Sequence, residues 1–355
     1  MKKISSMGAV LVIALFALYL VMPTLIAKRE GLEVASQEVD ESQLVETEED
    51  ITIGLLQFIQ HPSLDQIRDG FYDGMAERGY VDGENITIDY QNGQGNQSDL
   101  AMIANAFLAE NADILVGIAT PAAQALANAA NGDRPVILSA VSDPANNGFI
   151  ASDEQPGANV TGVTDMAPVA EQFDLMQDIL PDMENVGIIY NSSESNVTKT
   201  VSEAKGEAES RGLNVVESTI TSTNDLASVA EQLAGQVDVI WVPNDNTIAS
   251  AMDTLIQVTD ANGIPVIPVV DAMVADGGLA TVGINQYQFG LDTATVVADV
   301  IEGADTATYP IIYNDKTDTY INTAKAEELG IQLPQELIDA AIDVNSDEYA
   351  ELVGE

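Results

Sequence analysis

The chain has no cysteine, a single histidine, and only 12 Lys or Arg against 57 Asp or Glu in 355 residues. The missing cysteine excludes disulfides, thiolate zinc sites, iron–sulfur clusters, thiol nucleophiles and a lipid-modified cysteine anchor. One histidine excludes poly-histidine metal sites and leaves any histidine-based triad to His61 alone. A formal net charge of −45 argues against DNA or RNA as a partner, because phosphate binding needs dense Lys and Arg. No GxxxxGK, HExxH or GxSxG pattern occurs, and no calcium loop of twelve-residue spacing. Neither a metal nor an organic cofactor is implied, and no catalytic set is expected. Carboxylate-only catalysis stays open on composition.

The acidity does not signal disorder. Hydrophobic residues make up 46% of the chain, and Val, Ile, Leu and Ala recur at regular spacing, so the chain can bury a core. After Asp50 there are 48 acidic and 8 basic residues, so the charge is mostly solvated surface. Such a surface repels itself in dilute buffer and is screened by salt, which fits a saline or alkaline habitat. The length suggests two domains.

At the N-terminus, Lys2 and Lys3 precede an uncharged run from Ile4 to Ala27, long enough for a membrane-spanning helix. Basic residues before the run predict a cytoplasmic N-terminus, with the rest outside. Residues 1–29 read as an uncleaved anchor, with a cleaved signal segment as the alternative. Leu25-Ile26-Ala27 followed by Lys28-Arg29 is a poor cleavage site. Residues 30–50 carry nine acidic side chains and no aromatic, and read as a disordered acidic linker.

From Ile51 onward, strands alternate with helices. Strands are predicted at Ile51–Leu56, Asn85–Tyr90, Asp113–Ile118 and Pro135–Val141. Between them, Leu64, Ile67, Phe71 and Met75 share one helical face, Ser98 is placed to cap a second helix, and Pro121 to open a third. The pattern restarts with strands at Asn185–Tyr190, Leu213–Thr219, Val237–Val242 and Pro265–Val270. Helices fall at about Ser195 to Arg211, after Thr223 or Asn224 as cap, and from about Thr247. The halves align at an offset of 133, setting Gly54 on Gly187 and Arg78-Gly79 on Arg211-Gly212. The expected fold is α/β, with two doubly wound parallel-sheet lobes.

Open parallel sheets bring ligands to the carboxyl ends of their strands. The loops there are polar: Gln57-Phe58 through His61, Thr120-Pro121, Ser142-Asp143, Asn191 through Glu194 to Asn196, Asp245-Asn246 and Asp271. Several open straight into a helix, whose free N–H groups favour a carboxylate, while a facing Asp or Glu suits an ammonium. Both together suit a free amino acid. Thr120, Ser142, Asn191, Asn246, Asp143 and Asp245 also suit plain capping or turn roles. His61 fits a structural hydrogen bond better than acid–base work, and Trp241 fits a core. Phe58 and Tyr190 sit nearer strand ends and are candidates for stacking on a ligand ring.

Read in order, Gln57…His61-Pro-Ser-Leu-Asp65…Arg68-Asp-Gly-Phe71, Thr120-Pro-Ala-Ala-Gln124, Ser142-Asp143-Pro144, Val163-Thr-Asp165, Tyr190-Asn191…Glu194…Asn196, Asp245-Asn246-Thr247 and Tyr320-Ile-Asn322 form a familiar series. Together they resemble the substrate-binding proteins of ABC transporters in the tryptophan/tyrosine-type group, especially the tryptophan-binding proteins of Gram-positive bacteria. The resemblance spans about Ile51 to Val344. It implies a type 1 periplasmic-binding-protein fold, two lobes joined by three crossovers and closing over a ligand. Lobe one would comprise 51–163 plus 286–317, lobe two 164–285 plus 318–345, and a tail 346–355. Crossovers would fall at Val163-Thr164-Asp165, at Gln286-Tyr287 and near Thr317–Thr319. Many Gram-positive relatives are lipoproteins; without cysteine this chain is not, which favours the helical anchor.

The resemblance implies solute capture rather than catalysis, with delivery to an ABC permease driven by an ATPase on separate chains. The ligand is expected to be an amino acid, aromatic and tryptophan by preference. Its carboxylate would sit on the Thr120 and Ser142 loops. Its ammonium would face Asp143, Glu194 or Asp245, Asp245 first, and its ring would lie against Phe58 or Tyr190. Another small organic solute, an extracellular sensor lobe and an orphan α/β enzyme remain the alternatives.

Overall fold

The structure is a computed structural model that describes residues 44–45, 51–314 and 316–354. The expected membrane run, and the acidic segment apart from Leu44 and Val45, lie outside the described residues. Among the described residues no helix is long and apolar enough to cross a membrane. Val45 belongs to the folded part, its N–H donating to the Gly79 carbonyl at 3.1 Å.

The chain begins with β1 (Ile51–Gln57), α1 (Pro62–Glu77), β2 (Ile86–Asn92), α2 (Gln97–Ala109), β3 (Ile114–Ile118), α3 (Thr120–Ala130), β4 (Val136–Ser139) and β5 (Val160–Thr164). Helix α1 starts where Pro62 loses nothing by lacking an N–H, and it buries the expected face of Leu64, Ile67, Phe71 and Met75. The cap of α2 is Asn96 rather than Ser98: the Asn96 side chain accepts from the N–H groups of Ser98 and Asp99.

The second half runs α4 (Val169–Ile179), β6 (Asn185–Asn191), α5 (Val197–Ser210), β7 (Asn214–Ile220), α6 (Thr223–Ala234), β8 (Val239–Val242), α7 (Asn246–Ala249), α8 (Met252–Asn262), β9 (Val266–Pro268), α9 (Asp271–Ala275) and β10 (Ala280–Gly283). Ser222 takes the cap position of α6, one residue before the expected start. The helix expected from Thr247 is two helices, α7 and α8, broken at Ser250-Ala251. The remainder is α10 (Gln286–Ile301), β11 (Ile312–Tyr313), β12 (Asp318–Ile321), α11 (Thr323–Leu329), α12 (Gln335–Ala340), β13 (Ile342–Asp343) and α13 (Asp347–Leu352).

Two parallel sheets carry the fold. The first has the order β11-β5-β4-β3-β1-β2 and the second β7-β6-β8-β9. The run β2-β1-β3-β4 is matched by β7-β6-β8-β9, the same order in both lobes, and each sheet has its own apolar core. Trp241 is buried in the second core, its indole N–H donating to Gln172 Oε1 at 3.2 Å.

The chain passes between the lobes three times. Strand β5 lies in the first sheet and α4 packs in the second core. From β10 the chain returns through α10, which lies on α1 so closely that a Cβ at Gly70 would strike the Tyr287 carbonyl and one at Gly290 the Ile67 carbonyl. Strand β11 then pairs with β5, and β12 leaves to pair antiparallel with β10. The expected tail at 346–355 includes a docked helix: Tyr349 of α13 is buried, its ring 6.0 Å from that of Tyr320.

Candidate ligand-binding cleft

Between the lobes lies a cleft lined by residues of both. The carboxyl ends of β3, β4 and β8 open into it, as parallel sheets dictate. Its apolar wall includes Leu64, Ile67, Val269, Met273, Ile284 and Phe289. Its polar wall includes His61, Thr120, Ser142, Asp165, Asn244 and Asn246.

On the first lobe the backbone is strained where it meets the cleft. Ala119 has φ 73 and Ala140 has φ 51, both in a region that favours glycine. Such strain costs about 1–3 kcal/mol per residue and gathers where a ligand is held. The turn at Ala119 aims the start of α3 at the cleft. The first N–H groups of a helix have no intrahelical partner, and Pro121 supplies none, so those of Thr120 and Ala122 remain. The Thr120 hydroxyl is buried and unpartnered among the described residues.

On the second lobe, α7 is tied down by two carboxylates. Glu194 accepts from the N–H groups of Asn246 and Thr247, from Asn246 Nδ2 at 2.8 Å and from the Thr247 hydroxyl at 2.7 Å. Asp245 caps the helix through the Ile248 N–H at 2.9 Å and accepts from the Asn191 N–H. Burial and then the neighbouring Glu194 charge push the Asp245 carboxyl above its ordinary range.

Two polar links cross the cleft. Asn246 directs its Nδ2 at Glu194, so its Oδ1 faces His61 Nε2 at 3.3 Å, and that nitrogen carries the proton. Burial lowers the His61 pKa to about 4, so the ring is neutral near pH 7 and its Nδ1 is an unpartnered acceptor. At the other link, Asn244 Nδ2 donates to Ser142 Oγ and to Asp165 Oδ2, each at 2.8 Å, while the Ser142 hydroxyl donates to Asp165 Oδ1 at 2.7 Å. Burial raises the Asp165 pKa above the ordinary carboxylate value, against the pull of those two donors and of its own backbone N–H.

Of the thirteen residues expected to bind ligand, the structure brings Thr120, Ser142, Asn196, Asp245 and Asn246 to the cleft. Pro121 follows Thr120 in α3 but is not among the lining residues. Asn191 and Glu194 stand behind the wall, holding Thr247 and α7. Asp143 lies beside the cleft, 3.6 Å from Lys199 Nζ. Gln57 is turned inward, bonding Ile59, Asp65 and Tyr90. Neither stacking candidate is among the lining residues: Phe58 is in the first core, and the Tyr190 hydroxyl bonds Glu217 of β7. Asp271 is also displaced from the expected site, fully buried against Tyr349 and Asn285 near the crossovers.

Asp165, Asn244, Gln286 and Phe289 line the cleft without having been singled out for it. Asp165 and Asn244 lay inside segments read as crossover and loop. Phe289 arrives on α10, far along the sequence, and no local pattern could place it.

Among the described residues no cluster of His, Asp or Glu is placed to hold a metal ion. Free donors stand at the start of α3, unpartnered acceptors, Asn196 Oδ1 and Asn244 Oδ1, stand on the facing lobe, and a further acceptor, His61 Nδ1, stands on the first lobe. Four of the nine buried unpartnered side-chain atoms among the described residues belong to this cleft, which marks it as the place where a polar ligand completes the hydrogen bonding.

The comparisons with known proteins agree with that geometry. The family model for ABC transporter substrate binding proteins matches residues 52–345. A tyrosine-binding protein of Clostridioides difficile is 33% identical over 297 residues, covering 84% of this chain and 86% of that one. The structure of an ABC domain in complex with L-Trp from Streptococcus pneumoniae superposes with a TM-score of 0.81 at 40% identity, covering 83% of this chain and 99% of that one. A ligand-free, open substrate-binding protein with adhesive properties from Clostridium difficile gives 0.65 at 35% identity, with the same coverage.

Proposed function

The chain belongs to the ABC transporter substrate-binding protein family, and from that premise we propose that it captures a free aromatic amino acid between its lobes and hands it to an importing permease. It is a binding protein and not an enzyme, as its relatives are. Family membership places it on the outer side of the cell membrane. The proposal adds that the N-terminal run holds it there and that the permease and its ATPase are separate chains.

The observation that carries the amino-acid reading is the unpartnered Thr120 hydroxyl at the N-terminus of α3. A carboxylate placed there accepts from the hydroxyl and from free N–H groups, aided by the partial positive charge of the helix end. The apolar wall of Leu64, Ile67, Met273 and Phe289 suits a large side chain more than a sugar, which would leave its hydroxyls unpaired. The better superposition on the tryptophan complex than on the open relative supports a closed arrangement here, as do the links from His61 to Asn246 and from Ser142 to Asn244.

Titration calorimetry of the protein, refolded from denaturant to strip bound solute, with tryptophan, tyrosine and phenylalanine tests the reading. Binding of one of them is expected. Mass spectrometry of the stripped fraction identifies the natural solute, and a sugar or polyol there, with no binding of the three, would overturn the amino-acid assignment.

A further inference from the structure

Asp165 stands apart from the other carboxylates around the cleft. Both Asp245 oxygens accept from backbone N–H groups, and Asp245 is only 1% exposed. Glu194 is occupied by four donors on α7. Those two charges are consumed by the fold. Asp165 instead keeps part of its surface accessible while lining the cleft. Its donors are two neutral side chains, Ser142 Oγ and Asn244 Nδ2, and its own backbone N–H. An ionised carboxylate offers about four lone-pair sites, so acceptor capacity remains. Among the described residues no Lys or Arg forms an ion pair with it. A half-buried carboxylate without a counter-charge is held at a cost, and the cost is relieved when a cation arrives.

Around it the cleft is rich in acceptors. Asn244 spends its Nδ2 on Ser142 and Asp165, leaving Oδ1 unpartnered. Asn196 spends its Nδ2 on the Asn244 carbonyl and likewise leaves Oδ1 unpartnered. An ammonium carries three N–H donors and suits such a set.

We propose that Asp165, positioned by Ser142 and Asn244, takes the ammonium of the ligand and sets the preference for amino acids over their deaminated analogues. The inference rests on the amino-acid reading above and moves the expected role from Asp245 to Asp165. Burial already raises the Asp165 pKa, which is consistent with a carboxylate that lacks its counter-charge. Asn244 bridges from the second lobe to Ser142 on the first, so the amine is read where the two lobes meet.

The experiment compares each amino acid that binds with its 3-arylpropionate analogue, which lacks only the amine, by calorimetry. The wild-type protein is expected to prefer the amine. In Asp165→Asn the amino acid should lose about 30- to 1000-fold in affinity, while the arylpropionate changes by less than about threefold, so the preference collapses. Ser142→Ala, which only loosens the carboxylate, should weaken the amino acid alone, by roughly three- to tenfold. It also serves as the test if Asp165→Asn fails to fold, as judged by its melting curve. Retention of the wild-type preference by a folded Asp165→Asn, or equal loss for both ligands in Ser142→Ala, overturns the inference and leaves the amino-acid reading standing. A wild-type protein that binds the amino acid and the arylpropionate equally also overturns it. A wild-type protein that binds no amino acid removes both.

Discussion

Lys199 and Asp143 face each other from opposite lobes, with Nζ and Oδ2 3.6 Å apart, and theirs is the only ion pair among the described residues that joins the two lobes. Every other described pair is internal to one lobe, such as Arg78 with Asp299 or Lys325 with Asp260. Lys199 is 40% exposed, so the pair holds the two lobes together only modestly, by about 0–1 kcal/mol. Lys199→Met is expected to speed ligand release about two- to fivefold in dilute buffer and to match wild type in molar salt, where the Debye length falls to roughly 3 Å. Stopped-flow release at both ionic strengths checks this. An equal rate ratio in both buffers would remove the latch.

Asp271 should make stability depend on pH. It is fully buried, with Tyr349 Oη 3.3 Å and Asn285 Nδ2 3.4 Å from its Oδ2, while its Oδ1 is unpartnered. Backbone N–H groups of Ala272 and Gln286 and the Tyr320 hydroxyl complete its polar surroundings, and no described cation pairs with it. Burial raises its pKa from 3.8 to about 7. The folded state therefore binds more protons than the unfolded one between about pH 4 and 7, and stability falls as pH rises through that window. The loss is about 4 kcal/mol at most, from roughly 1.36 kcal/mol per unit. Other carboxylates also titrate, so the measured quantity is the difference in unfolding free energy between wild type and Asp271→Asn. That difference should fall from pH 4 to pH 7 and then level off. A flat difference would show that the carboxyl ionises freely.

Much of the frame was legible in the residues. The apolar runs at Ile51, Asp113, Asn185 and Val237 became β1, β3, β6 and β8, because a strand covered on both faces must be apolar throughout. Strand β5, whose last two residues were read as crossover, and the short β10 to β13 had no local signal; three of the five residues of Val160–Thr164 are threonine or glycine, and β11 and β13 are two residues each. The polar loops at the strand ends did line the cleft, yet the role of each side chain was not readable. Asp245 and Asp165 both follow a strand. Only the tertiary partners separate them: backbone N–H groups of Asn191 and Ile248 saturate the first, while Ser142 and Asn244 leave the second with capacity. Phe58 and Tyr190 lie off the cleft lining because a strand-end position does not say which face a side chain takes.

Salt should raise the stability of the unliganded protein. The folded region after Asp50 holds 48 acidic and 8 basic residues, and compaction brings those charges together. Screening relieves the repulsion, so the melting temperature should climb between 0.01 M and 1 M KCl, as the Debye length shrinks from about 30 Å to roughly 3 Å. Sodium chloride should act alike. A flat or falling melting temperature would show that surface repulsion does not limit stability.

The repeated strand order predicts a graded response at two equivalent glycines. Gly54 in β1 and Gly187 in β6 are related by the 133-residue offset, and each faces the helix that follows its neighbouring strand. A Cβ at Gly54 would lie 2.7 Å from the Phe107 ring of α2 and 3.2 Å from Leu115. A Cβ at Gly187 would lie 3.1 Å from Leu233 of α6. The phenyl ring is rigid, and a close-packed core offers it no room to retreat. Leu233 can yield a few tenths of an ångström at its flexible end. Overpacking of this kind costs about 1–3 kcal/mol. Gly54→Ala is expected at the upper end of that range and Gly187→Ala at or below the lower end, measured by denaturant unfolding of each variant. Equal losses would mean that the first core gives way as easily as the second, and that the tighter contact at Phe107 carries no extra cost.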